Sequence, residues 1–105
     1  MPDTFNVILI NVNQSVFSIR TVLSNDSLFF NARDIADAVG YSRVSSIVNL
    51  IKNLPAESHC LFRNFTFLSM HGVSLWLASS KKSNAPIVLQ QIVSAINKGG
   101  NNIDQ

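Results

Sequence analysis

Three short apolar runs separated by two polar turns open the chain, and they constrain its fold more than any other feature. FNVILINV (5–12) is interrupted only by asparagines and ends in Asn13-Gln14-Ser15. It reads as a buried strand followed by a turn. VFSIRTVLS (16–24) partly alternates, with Phe17, Ile19 and Thr21 on one side and Ser18, Arg20 and Val22 on the other. Asn25-Asp26 supplies turn chemistry again, and SLFF (27–30) returns as a third strand. A three-strand meander is the economical arrangement.

From residue 31 the apolar spacing lengthens from two residues to three and four. Asn31 is placed to cap a helix, and Asp34 three residues on favours its positive end. Ala32, Ile35, Ala36 and Val39 form one stripe, and Gly40 is the expected stop. A second helix over about 43–53 puts Val44, Ile47, Val48 and Ile51 on one face before Pro55 ends it. HCLFRNFTFLS (59–69) holds two β-prone pieces around Arg63-Asn64, a hairpin or one bent strand. Helical spacing resumes through Met70, Val73, Trp76 and Leu77, and SSKKSN (79–84) breaks it. A last helix starts at Ala85-Pro86 and runs to about Asn97, where Gly99-Gly100 should release a polar tail. The expected fold is α+β: a small antiparallel sheet of hairpins packed with about four short helices. One domain is expected over 1–98, with a flexible polar tail at 99–105.

Composition narrows the chemistry. A chain of 105 residues suits a single modest core. Eight basic against six acidic residues leave a net charge of +2, which permits nucleic acid without arguing for it. The single cysteine, Cys60, excludes an intramolecular disulfide and suits a reducing cytoplasm. With only His59 and His71 beside it, it makes a poor zinc set, so no metal is expected. No basic leader opens the chain, and no apolar run approaches the roughly 20 residues of a membrane span. The sequons at Asn13, Asn25 and Asn64 are products of an Asn-rich chain. Asp34 and Asp37 lie three apart on one helix, but acids in first turns chiefly complement the helix dipole. There is no G-x-S-x-G elbow, no assignable triad and no phosphate-cradling glycine loop. No enzyme activity and no cofactor are expected.

Binding is better supplied. The segment NARDIADAVGYSRVSSIVNLIK (31–52) has the outline of a helix-turn-helix. Ala36 and Gly40 fit that pattern, but the inward apolar position falls on Ser46, with Ile47 one residue late. The outward face offers Arg43, Ser45, Ser46, Asn49 and Lys52, thinly basic for a DNA reader. Lys81 and Lys82, flanked by serines and a helix start, are the densest positive point and suit a phosphate or an acidic side chain. In PIVLQQIVSAIN (86–97), Gln90, Gln91, Ser94 and Asn97 form a narrow polar stripe on an otherwise apolar helix. Deep burial of such a helix is hard to arrange in a small domain. Leu89, Ile92, Val93 and Ile96 are therefore the expected oligomer interface, a symmetric homodimer being the default.

Read in order, the residues resemble the Bro-N domain family of bacteriophage antirepressors and large-virus BRO proteins. SIRTVLSNDSLFFNARDIADAVGYS is similar to the family's strand pair and first helix, with matches at Phe30, Ala32, Arg33, Asp34 and Val39-Gly40-Tyr41. LSMHGVSLWLASSKKSNAP resembles its second signature, with matches at Gly72, Ser80, Lys81, Lys82 and Ala85. The likeness spans roughly residues 16 to 97. Val88 and Gln91 stand where the family carries an aromatic pair, and the C-terminal domain of most relatives is missing, so a free-standing, diverged member is expected. The resemblance implies a cytoplasmic, phage-type regulator of transcription in a bacterial host. It would act by binding a protein, a phage repressor being the natural partner, through the last helix and the Lys81-Lys82 loop. The alternative is DNA, held by the 31–52 helix pair and the same loop, with Arg43, Ser45, Asn49, Lys52, Lys81 and Lys82 as contacts.

Overall fold

The computed structural model describes the backbone of residues 3–41 and 44–103 and the side chains of 3–41, 47–49 and 51–97. Strands β1 (Thr4–Val12), β2 (Ser15–Ser24) and β3 (Ser27–Asn31) form the expected meander. Helices α1 (Ala32–Val39) and α2 (Val44–Lys52) follow, then a single 3-10 turn at Ala56–Ser58. A second hairpin, β4 (His59–Phe62) and β5 (Phe65–Ser69), leads into α3 (Met70–Ser79) and α4 (Ala85–Ile103). All strand pairs are antiparallel, in the order β1-β2-β3-β5-β4.

Local chemistry accounts for the joints. Each hairpin closes through two residues that both take positive φ: Asn13 and Gln14, Asn25 and Asp26, Arg63 and Asn64. That backbone matches the right-handed twist of the strands it joins, and Asn and Asp tolerate it best among residues with a side chain. The Asn31 side chain accepts the Asp34 N–H at 3.0 Å and opens α1. Gly40, at φ 109°, closes it, and the N–H groups of Gly40 and Tyr41 both return to the Ala36 carbonyl. Ser69 caps α3 by accepting the Gly72 N–H.

The helices cover one face of the sheet. Ile10, Ile19, Phe30 and Leu68 point up from the strands and meet Ile35, Val73, Trp76, Val88 and Ile92 from the helices, all fully buried. Helix α4 lies along β1 and against α3, while α1 packs on β2 and β5. Two expectations are corrected here. Helix α4 is not an outlying apolar rod: Ala85, Val88 and Ile92 are fully buried in its own domain, and Ile87, Leu89 and Ile96 pack against the core. Its apolar girth is wide because sheet and neighbouring helices contact it from several sides. Its helical backbone also continues through Gly99-Gly100 to Ile103, where the helix was expected to end near Asn97. Glycine stops a helix by turning left-handed, as Gly40 does; held in helical angles it merely costs about 1 kcal/mol relative to alanine.

Candidate binding surfaces

Among the described residues, no helix covers the opposite face of the sheet. Pairing register assigns its side chains: Phe5 stands beside Val22 and Val22 beside Phe29, Val7 beside Arg20, Phe67 beside Cys60, and Phe65 beside Phe62. The face is thus built largely from phenylalanines. Phe62 sits 5.4 Å from Phe29 and 5.6 Å, edge-on, from Phe67, centroid to centroid. Phe67 and Val22 are buried on this face.

The face is also concave. Strands β1 and β4 are opposite edges of the sheet, and in a flat sheet four strand spacings of about 4.8 Å would hold them roughly 19 Å apart. Yet Arg63, in the β4–β5 turn, lays its guanidinium 4.0 Å from the ring centroid of Phe5 on β1. The sheet curls enough for these two long side chains to bridge the face. Beneath it lies a hollow of about 280 Å³, lined by Phe5, Val7, Phe62, Phe65 and Phe67 with Arg20, Arg63, Asn6 and Thr21. Phe5 and Phe65 remain exposed while lining it.

The two arginines differ in availability. Arg20 lies 5.1 Å from the Phe65 ring centroid, but its Nε and Nη2 both donate to the Asp34 carboxylate, at 2.8 and 3.0 Å. That hydrogen-bonded partner holds the guanidinium above its ordinary pKa against the opposing effect of burial. Arg63 makes no ion pair among the described residues. Its face rests on Phe5, which leaves the N–H edge of the fork for a ligand. Cys60 is half-buried beneath the same face, and burial, reinforced by the charge of Asp3, pushes its thiol pKa up.

A second hollow, of about 480 Å³, is lined by Tyr41, Ser79, Lys81 and Lys82. The Ser80 hydroxyl lies 2.7 Å from Tyr41 Oη and accepts the Lys82 N–H at 3.2 Å, so the loop backbone is held. Lys82 Nζ stands 5.2 Å from the Tyr41 ring centroid, and Tyr41 stacks on buried Trp76 at 6.3 Å. Ser79 also borders a hollow shared with Asn53 and Leu54, so the end of α2 and the lysine loop occupy one side of the molecule.

The residues singled out by sequence therefore separate. Lys81 and Lys82 share a hollow, and Lys52 and Asn49 are exposed on α2. Arg43 lies outside the described residues, as does the side chain of Ser45. Of the expected oligomer interface, Ile92 is fully buried within the domain, Leu89 and Ile96 are half-buried, and only Val93 is exposed. A surface made of those four side chains does not exist, because Ile92 faces the core. Asp34 and Asp37 do not pair with each other: each bonds an arginine, Arg20 and Arg33. No group of three metal-ligating side chains occurs among the described residues, and no helix is long and apolar enough to cross a membrane.

The aromatic hollow is not among the sites expected from the sequence. Its signal was there: FRNFTF (62–67) is rich in phenylalanine around a tight turn, and β1 is apolar at both odd and even positions. Comparison with family models, curated proteins and solved structures finds no match to this chain.

Proposed function

We propose that this chain is a Bro-N-like, antirepressor-type regulator of transcription that acts by binding another protein and not by catalysis. It would work in the cytoplasm of a bacterial host on a phage repressor, through the concave aromatic face. The observation that carries this reading is the hollow itself: half-open phenylalanines around about 280 Å³, with Arg63, which makes no ion pair among the described residues, at its rim. That chemistry suits an apolar side chain flanked by a carboxylate. The side chain enters between Phe5, Phe62 and Phe65, which is worth about 1.5–3 kcal/mol of burial. The carboxylate meets the edge of the Arg63 fork. Exposed apolar surface of this kind is characteristic of protein contacts.

DNA is the second reading, favoured by the hollow in which Lys81 and Lys82 converge beside the end of α2. One experiment separates the two. The protein is tested for binding to the repressor encoded nearest its own gene and, in parallel, to duplex DNA across a salt series. Protein recognition predicts repressor binding that survives salt and is lost in Phe65→Ser and in Arg63→Glu. Duplex binding that weakens steeply with salt and is lost in a Lys81→Ala/Lys82→Ala double variant, with no repressor bound, would sink it.

A further inference from the structure

The outer edge of β1 offers a second, independent site. Its hairpin turn has two residues, so Val12 and Ser15 form a mutually hydrogen-bonded pair and bonding to β2 recurs at even positions. Phe5, Val7, Leu9 and Asn11 consequently aim their main-chain groups away from the sheet. Two of those four N–H groups have acceptors. Asn11 donates to Gln91 Oε1 on α4 at 3.2 Å, and Val7 to the neighbouring Asn6 Oδ1 at 2.8 Å. Those of Phe5 and Leu9 have none among the described residues.

Edge strands of monomers are usually blunted by a charge, a proline, a bulge or shortness. The opposite edge, β4, is four residues long. Strand β1 is nine, and it holds no charge, proline or glycine; no charged residue occurs from Thr4 to Ile19. Its side chains are open as well, with Val7 49% and Leu9 64% exposed and Val16 exposed beside them.

We infer that β1 pairs antiparallel with β1 of a second copy, about a two-fold axis at Val7, joining two five-stranded sheets into one. The axis follows from the free groups. With Val7 opposite its own counterpart, Phe5 of each copy faces Leu9 of the other. The unpaired N–H groups of both residues then meet outward carbonyls in register. Val7 exchanges its Asn6 acceptor for the opposing Val7 carbonyl, and Gln91 ends the ladder at Asn11. Self-complementarity is what an isologous contact requires, and a neutral edge lets two chains of net charge +2 approach without local repulsion. The inference does not rest on the partner reading above, since it uses the main-chain edge and not the hollow.

Mass in solution, by sedimentation or light scattering over a concentration series reaching about 1 mM, tests it together with Val7→Lys and Val7→Glu. The wild type should show twice the chain mass at the upper end. Each variant alone should stay monomeric, because like charges then face each other across the axis. Mixing the two should restore the doubled mass. Amide exchange of the wild type gives a second readout that needs no variant: Phe5 and Leu9 should exchange about tenfold more slowly in the dimer than when dilute. A wild type that is monomeric throughout overturns the inference. So does a dimer that survives Val7→Lys, one abolished by Val93→Asp on α4, or one in which Phe5 and Leu9 exchange unchanged.

Discussion

Replacing Asp34 by alanine should destabilise the protein by about 2–3 kcal/mol, and the sum can be built from the structure. The Asp34 carboxylate accepts the Arg20 main-chain N–H at 2.8 Å as well as both guanidinium bonds. The main-chain bond lies just past the last β2–β3 pair, Thr21 with Phe30, where Arg20 has no strand partner in that ladder. Losing that bond costs about 1 kcal/mol. The ion pair joins a carboxylate 13% exposed to a guanidinium 46% exposed, so solvent screens it to about 1 kcal/mol. Asp34 also occupies the first turn of α1, worth about 0.5 kcal/mol against the helix dipole. Asparagine at this position keeps an acceptor for the Arg20 N–H and should lose only about 1–1.5 kcal/mol, the charged share of the same sum. Urea unfolding at neutral pH, followed by the fluorescence of Trp76, measures both. At roughly 1 M salt the Asp34→Asn loss should shrink, while the gap between the two variants persists. The hydrogen bond raises the Arg20 pKa, so the guanidinium's contribution is fully present below the ordinary arginine pKa. It is lost only as pH rises through the raised value, and it is flat across the neutral range. Equal losses for the two variants, or an Asp34→Ala loss under about 0.5 kcal/mol, well below the hydrogen-bond share alone, would refute the account.

Gly72→Ala pits propensity against packing. Helix propensity favours alanine by about 1 kcal/mol, but its Cβ would stand 2.6 Å from the Ser58 carbonyl oxygen, so thermal unfolding should show a net loss of about 1–2 kcal/mol. Gln14→Gly should raise stability by about 0.5–1 kcal/mol in the same assay, since Gln14 is held at φ 73° in the first hairpin turn. Cys60 should react with iodoacetamide more slowly at neutral pH than a free thiol. Its rate should go on rising with pH beyond the point where a free thiol levels off, because burial favours the neutral form; a rate equal to the free thiol's counts against that burial.

Much of the fold was legible because its signals act over a few residues. Asn31 as cap, Gly40 as stop, Pro55 after α2 and the polar pairs between apolar runs each bias the backbone within about one turn. They account for the meander and the helix starts, while 59–69 stayed open between a hairpin and one bent strand until the β4–β5 pairing closed it. The lysine loop was equally plain, since two adjacent charges beside a helix start need no partner to be noticed. Helix α4 is buried further than its sequence implies, for the opposite reason. Its polar stripe says only which positions avoid the core, and not how many neighbours surround the rest.

By itself, then, the sequence determined the α+β class, the meander with its polar turns, and the cap and stop of α1. Tertiary structure alone decided that β3 lies beside β5, which leaves β1 and β4 as edges and lets Arg63 reach across the face to Phe5. It also decided which face of each strand the helices cover, and so that Phe5, Phe62 and Phe65 line a hollow while Phe30 lies in the core. The physical reason is range. Turn and cap energies arise between neighbours in the chain, whereas the choice of face depends on contacts between residues dozens of positions apart. A strand apolar on both sides, as β1 is, leaves that choice open until the helices settle on one of them.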